Sequence, residues 1–511
     1  MIPSVSDAAA LPRRNEKQYL FLKGYNNMTK KLLSVLLAVA MLVSMMALAS
    51  CDKNAGQGSQ GSQQAAGMAS YNVPEVGYDG SAVTVVFYHS MGAKLQSVLD
   101  TYIEEFNKLY PNITIDHSSM GDYDGVRDQI KTQLTAGAQP NIAYCYPDHV
   151  ALYNVTKKVI PLDNFINSTI EVTDAKGNTT VLGLTEAQKA DFIEGYYKEG
   201  AAFDEIGTMY TLPMSKSTEA LYYNKTFFEE NGLSVPTTWE EMEAVCKRIK
   251  EIDPNCIPLG YDSEANWFIT MCEQYNSGYT SLDKNDHFQF NNETNRGFVK
   301  KFNDWFRKGY VTTEEIYGSY TSGLFTATEG QRCYMVIGST GGASYQTPPK
   351  DGNDNYLFET GMATPPQVNP DSPKVISQGP SLCLFDSDNP QEVVASWLFM
   401  KFLTTDVSFQ AEFSMKSGYA PVIKSVQENA VYKDWLDKAS GYNNLTALSV
   451  KLALSQSDAY FVSPAFNGSS VARDEVGILM QTALVKTDAD IDAVLERLFK
   501  DAVGKCNFAI K

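Results

Sequence analysis

Beyond residue 80 the chain alternates two apolar patterns. "VTVVFY" (83–88) is a short β-branched run, Leu95, Val98, Leu99, Tyr102, Phe106 and Leu109 recur at helical spacing, and "NITIDH" (112–117) is again strand-like. Pro111-Asn112 punctuates the first helix. Val126, Ile130 and Leu134 mark a second, stopped at Gly137, and "NIAYCY" (141–146) reads as a third strand. A β-α-β-α-β order predicts a parallel sheet with helices on its faces, and ligands on such sheets sit beyond the carboxyl ends of the strands. The residues just after each strand are therefore the first candidates for chemistry: Tyr88-His89-Ser90, Gly121-Asp122-Tyr123 and Pro147-Asp148-His149.

The texture changes near residue 209. Residues 209–213 and 220–224 read as strands around a polar Ser215-Lys216-Ser217-Thr218, and Thr238-Trp239-Glu240-Glu241 is a capping box that starts a helix. Helices dominate to about residue 310, with Val299, Phe302, Trp305 and Phe306 on one face. "CYMVIGSTGGAS" (333–344) is a buried strand running into a glycine-rich loop. "GPSLCLF" (379–385) is another strand, followed by a helix over 390–404, whose Trp397, like Trp305, reads as core. No internal repeat is present.

The N-terminal part has a different logic. Residues 1–27 have no periodic pattern and are expected to lie upstream of the true start, Met28. Residues 28–50 combine Lys30 and Lys31 with an apolar run from Leu32 to Ala49, the pattern of a secretory signal rather than a membrane span. Leu48-Ala49-Ser50-Cys51 resembles a bacterial lipobox, which implies cleavage before Cys51 and lipid on its thiol. The Gly/Ser/Gln-rich stretch that follows, 51–80, is expected to be a flexible tether.

The net charge is −18, and removal of residues 1–50, with six Lys/Arg and two Asp/Glu, leaves −22. So acidic a surface repels nucleic acid and anionic lipid. Without Cys51, seven scattered cysteines remain, an odd number with no disulfide framework. Cys246 and Cys256 could bridge, but small buried thiols are the preferred reading. The four histidines, His89, His117, His149 and His287, are isolated in sequence and read as surface or cleft residues, with no spacing for a metal or cofactor.

The ordered set "EEFNKLYPNITI", "PMSKSTEALYYNKTFFEENGLSVPTTWEEM", "SGYAPV" and "GSSVARDEVG", over residues 83–511, resembles the family 1 extracellular solute-binding proteins that feed ABC importers. "FYHSMGAKL", "GDYDGV", "CYMVIGSTGG", "GPSLCLF" and "SGYAPV" are most similar to its glycerol-3-phosphate-binding subgroup. The resemblance implies an α/β, two-lobed fold of the periplasmic-binding-protein type II class, with a ligand cleft between lobes. Lobe 1 would take 81–217 plus 380–440 and lobe 2 would take 218–379 plus 441–511, with hinges near Ser217, Gly379 and Ser440. It further implies a monomer, anchored on the extracytoplasmic face of the membrane, that passes a small sugar, polyol or glycerol phosphate to ABC permease subunits.

Residue by residue, the same resemblance carries over Tyr123, Ser217, Trp267, Ser339, Gly379, Tyr419 and Arg473 as hydroxyl and phosphate donors, a stacking ring and a close-approach glycine. Where the subgroup has a glutamate for glycerol hydroxyls this chain has Pro147, beside Asp148, which leaves an oligosaccharide as the alternative solute. Read from the residues alone, Tyr123 could equally begin a helix, Trp267 equally pack in a core, and Arg473, beside Asp474 and Glu475, equally be a surface cation.

Enzymatic readings find little support. Gly379-Pro380-Ser381-Leu382-Cys383 lacks the last glycine of a nucleophile elbow, so a lipid-anchored hydrolase has no visible nucleophile. The sole Gly-Lys pair, at 504–505, precedes Cys506 and not Ser or Thr, so no P-loop exists for an ATP-driven subunit. A surface adhesin would leave the interlobe cleft without a role.

Overall fold

The computed structural model describes residues 68–204 and 206–510. The expected leader, Cys51 and most of the expected tether lie outside them. No described helix is long and apolar enough to cross a membrane.

Two five-stranded sheets organise two lobes. The first contains β1 (Val83–His89), β2 (Ile113–Ser119), β3 (Ile142–Cys145) and β4 (Thr211–Pro213). The second contains β5 (Glu219–Asn224), β6 (Leu259–Tyr261), β7 (Val311–Thr313), β8 (Met335–Ser339) and β9 (Thr360–Ala363). The chain then returns to the first sheet with β10 (Ser381–Leu384), giving the order β2-β1-β3-β10-β4. β1 pairs parallel with β2 and β3, as the β-α-β pattern predicts, whereas β10 runs antiparallel to both β3 and β4. The returning strand enters from the other lobe, so its direction is set by that crossing and not by a β-α-β unit. The second sheet has the order β9-β5-β8-β6-β7, with β8-β6-β7 parallel and β5 antiparallel to its neighbours.

The helices that place the site are α1 (Ala93–Asn107), α2 (Tyr123–Ala136), α3 (Pro147–Tyr153), α4 (Trp239–Ile252), α5 (Glu264–Tyr275), α6 (Glu293–Arg307), α7 (Pro390–Thr405), α8 (Val407–Ser417), α9 (Leu445–Ser455), α10 (Ser469–Leu484) and α11 (Ile491–Ala509). Asp122 caps α2 through the Gly125 N–H, and Thr238 with Glu241 forms the expected capping box of α4. Trp397 on α7 lies in the first core and Trp305 on α6 in the second, both fully buried. Helices α10 and α11 join the second core, but α9 is shared: Val450 and Ala453 enter the first core, while Leu445 packs with Ala220 and Tyr222 of the second lobe. Chain after residue 440 is thus not confined to the second lobe.

Three segments cross between lobes. At Ser217 and Gln378 the first two run side by side, exchanging N–H···O bonds of 2.9 and 2.8 Å. The third crosses at Tyr460–Phe461, paired parallel with Val375–Ile376, and not near Ser440. Ser440 sits in the loop before α9, because α9 is still held by the first core. The tether also ends earlier than residue 80: Met68, Tyr71, Val73 and Tyr78 pack on the first lobe, and Tyr71 stacks on Phe165 at 5.6 Å.

Histidines that look isolated in sequence meet in space. The parallel register puts Phe87 opposite His117, so His89 and His117 share a face, with His89 Nε2 2.9 Å from His117 Nδ1. His89 Nδ1 accepts from the Met91 N–H at 3.1 Å, so the His89 proton is on Nε2, and His117 Nε2 donates to Asp100 at 2.8 Å. His89 and His149 are buried rather than surface residues. Burial first, and His117 second, push the His89 pKa down from 6.5 to about 4. The unfolded chain therefore takes up this proton below pH 6.5 while the native protein refuses it until about pH 4. Stability from this site is full above pH 6.5 and falls as pH drops toward 4, by about 3 kcal/mol in total. In urea titrations at pH 7 and pH 4.5, His89→Gln is expected to flatten the decline; an equal decline in wild type and variant contradicts this account.

All seven cysteines among the described residues are buried and unpaired. No group of three or more His, Cys, Asp or Glu among the described residues is arranged to hold a metal ion.

Candidate functional site

The carboxyl ends of β1, β2 and β3 face the second lobe, and tyrosines gather there. Tyr144 and Tyr146 straddle the end of β3, and Tyr123 is the first residue of α2. The Tyr123 and Tyr146 ring centroids are 4.6 Å apart. Tyr419, in the loop after α8, brings its hydroxyl to that of Tyr123. Its ring passes over Gly341, where an added Cβ would lie 2.7 Å from Tyr419 Cζ, so this approach requires glycine. Burial raises the pKa of Tyr123, Tyr146 and Tyr419, which leaves three neutral phenols able to donate or accept hydrogen bonds.

Next to this cluster an open cleft lies between the lobes, lined by Tyr146 and Asp148 of the first, Tyr279, Ser469 and Arg473 of the second, and the crossing segment Ser377–Gln378. Several lining groups have no hydrogen-bond partner among the described residues: Asp148 Oδ2, Gln378 Oε1 and the hydroxyl of Tyr279, which is only 9% exposed. Arg473 has no ion pair among the described residues; its guanidinium donates to Asn266 Oδ1. Asn266 in turn contacts Glu219, which also accepts from the Tyr261 hydroxyl at 2.7 Å. Burial pushes Glu219 up to about 7, with its hydrogen bonds and Arg473 acting the other way.

Asp148 and Arg473 thus line one cavity without bridging each other. The buried Asp148 Oδ2 and Tyr279 hydroxyl left open cost free energy unless something fills the gap, and a ligand hydroxyl or oxyanion reaching Arg473 has the chemistry to do so.

The crossing segments hold two more of the expected residues, and the end of β8 a third. Ser217 is buried, and its Oγ lies 3.3 Å from that of Ser339 at the end of β8. Gly379 has φ +89°, and a Cβ there would lie 2.5 Å from the Ser215 carbonyl oxygen. Trp267 is not in the cleft. It is 0% exposed in the second core, stacked on Tyr261 at 4.7 Å and beside Phe302 at 4.2 Å. On α5 the face carrying Trp267 and Met271 turns to the core, while its neighbour Asn266 reaches Arg473. The stacking role expected of Trp267 is corrected accordingly.

Sequence reasoning missed Tyr146, Tyr279, Asn266, Asp262 and Glu314. Asp262 and Glu314 directly follow β6 and β7, three-residue strands inside or at the end of a stretch that reads as helical in sequence, so the carboxyl-end rule that picked out Asp148 had no strand there to act on. Asp262 accepts from the Thr321 N–H at 2.8 Å and its hydroxyl at 2.6 Å. Burial raises its pKa, and burial followed by Asp262 raises Glu314 to about 7.

The profile of the bacterial extracellular solute-binding protein family matches residues 101–439. The chain belongs to that family. Over 389 residues it is 23% identical to the sn-glycerol-3-phosphate-binding periplasmic protein UgpB of Escherichia coli (strain K12), covering 72% of this chain and 80% of that protein. Among solved structures it is similar to UgpB from Mycobacterium tuberculosis in complex with glycerophosphocholine, with TM-score 0.64, 16% identity and coverage of 84% and 99%. It is also similar to the cyclic alpha-maltosyl-1,6-maltose binding protein from Arthrobacter globiformis, with TM-score 0.62, 17% identity and coverage of 84% and 100%. These structural likenesses establish the two-lobed fold of this extracellular solute-binding protein.

Proposed function

We propose that the cleft captures a small glycerol-phosphate- or polyol-type solute and that the protein, lipid-anchored through Cys51 on the extracytoplasmic face, delivers it as a monomer to the permease of an ABC importer. The observation that carries this reading is Arg473, in the second turn of α10, lining one cavity with Asp148 Oδ2, neither of them ion-paired among the described residues. A helix N-terminus and a guanidinium together favour an anionic oxygen, while Asp148 accepts from a hydroxyl. The likeness to UgpB supports the same class. An oligosaccharide is the second reading, supported by Asp262 and Glu314 at the strand ends and by the tyrosine surfaces on which sugar rings stack.

Thermal-shift measurements on the chain from residue 52 onward, against glycerol-3-phosphate, glycerophosphodiesters and oligosaccharides, test the choice. A ligand at 100 times its Kd adds about 2.7 kcal/mol to stability and raises Tm. A shift with phosphorylated solutes only supports the first reading, and a shift with oligosaccharides only replaces it with the second. For the anchor, Cys51→Ala is expected to abolish lipid attachment and release the protein from the membrane. Equal membrane retention of that variant contradicts the anchor.

A further inference from the structure

Helix α2 of the first lobe and helix α10 of the second meet beside the cleft through one side chain. Arg127 Nη1 donates to Ser470 Oγ at 3.5 Å and to both carboxylate oxygens of Asp474 at 3.4 Å. From its own lobe the same guanidinium is held by Asp124, 3.1 Å from Nη1, and by Asp128, 3.0 Å from Nε. Its side chain is 13% exposed.

We infer that Arg127 is an interlobe latch that favours the closed arrangement before any solute binds and slows the escape of a solute once captured. Asp124 and Asp128 travel with Arg127, so opening breaks the contacts to Ser470 and Asp474 and leaves the guanidinium charge-paired within its own lobe. The residue is therefore pre-oriented for closure, and little side-chain entropy is lost when the latch forms. Asp474 is adjacent to Arg473, so engaging the latch seats the cleft cation over the cavity in the same movement. The effect on solute escape rests on the proposed solute cleft; the bias in the solute-free protein does not.

The partly exposed carboxylates keep the latch modest. Removing it should lower the closed-to-open ratio about three- to tenfold, the range for charge-assisted bonds near a surface. Spin labels on Thr135→Cys and Lys500→Cys, exposed positions in the first and second lobes, report the interlobe distance by pulsed dipolar spectroscopy, since the native cysteines of the folded body are buried. In protein without added solute, Arg127→Gln and Asp474→Asn are each expected to shift the distribution toward the longer distance, and the double variant to add nothing further. Asp474→Asn leaves the pairs of Arg127 within its own lobe intact, so it reads the latch even where Arg127→Gln disturbs folding. A wild-type distribution with no closed component, or an unchanged distribution in Asp474→Asn, overturns the latch. Neither result depends on which solute the cleft takes.

Discussion

Replacing Arg473 with glutamine should weaken binding of a phosphorylated solute by about 2–4 kcal/mol, on the order of 30- to 800-fold, when measured by calorimetry. The guanidinium has no ion pair among the described residues and is held by the neutral Asn266 side chain, so a ligand anion would supply its closest full counter-charge. A phosphate oxygen supplies the missing charge, and glutamine keeps one donor but loses that charge. The folded protein should tolerate the change, because among the described residues Arg473 makes one side-chain hydrogen bond within the second lobe, to Asn266. For a neutral sugar the same substitution should cost about 1 kcal/mol, the value of an ordinary hydrogen bond. A glycerol-3-phosphate affinity that is unchanged in Arg473→Gln contradicts the assignment of the anion site.

The largest effect on stability is expected at the hinge. Lys216 Nζ lies 2.8 Å from Glu199 Oε1, with side chains 0% and 4% exposed, and Glu199 also accepts from the Ser377 hydroxyl at 3.0 Å. This pair joins one crossing segment to the first lobe, while Ser377 belongs to the other. Lys216→Met leaves a carboxylate buried without its cation, which should cost about 3–5 kcal/mol. Adding Glu199→Leu removes the stranded charge and should restore much of that loss, because a buried ion pair replaced by apolar groups is often neutral or better. Denaturant midpoints of the single and double variants measure both numbers. A Lys216→Met protein as stable as wild type means that the pair adds nothing to the hinge.

Much of this architecture is legible in the amino-acid order. Periodicity located β1, β2, β3 and the helices between them because each buries one face against a neighbour nearby in sequence. Pairings made across hundreds of residues were not legible: the antiparallel entry of β10, the sharing of α9 between lobes and the contact of His89 with His117 arise when distant segments meet. The candidate site divides along the same line. Tyr123 and Asp148 follow strands, so a local rule finds them. Trp267 shows the limit of reading a residue by type, since its helix turns it into the core and presents Asn266 to Arg473 instead. Lys216 lies in a polar Ser-Lys-Ser-Thr run that carries no sign of burial, yet it is 0% exposed, paired with Glu199 and set against Gly379 and Ala420 from distant parts of the chain.

The central claim is that one solute touches both lobes at once. Hydrogen–deuterium exchange of the wild-type protein with a saturating solute from the thermal-shift panel tests it most directly. The account predicts slowed exchange in two separate regions, the segment around Tyr123 and residues 146–149 in the first lobe and the start of α10 around Arg473 in the second. Protection confined to one lobe, or absent from both while the solute is bound, would contradict it.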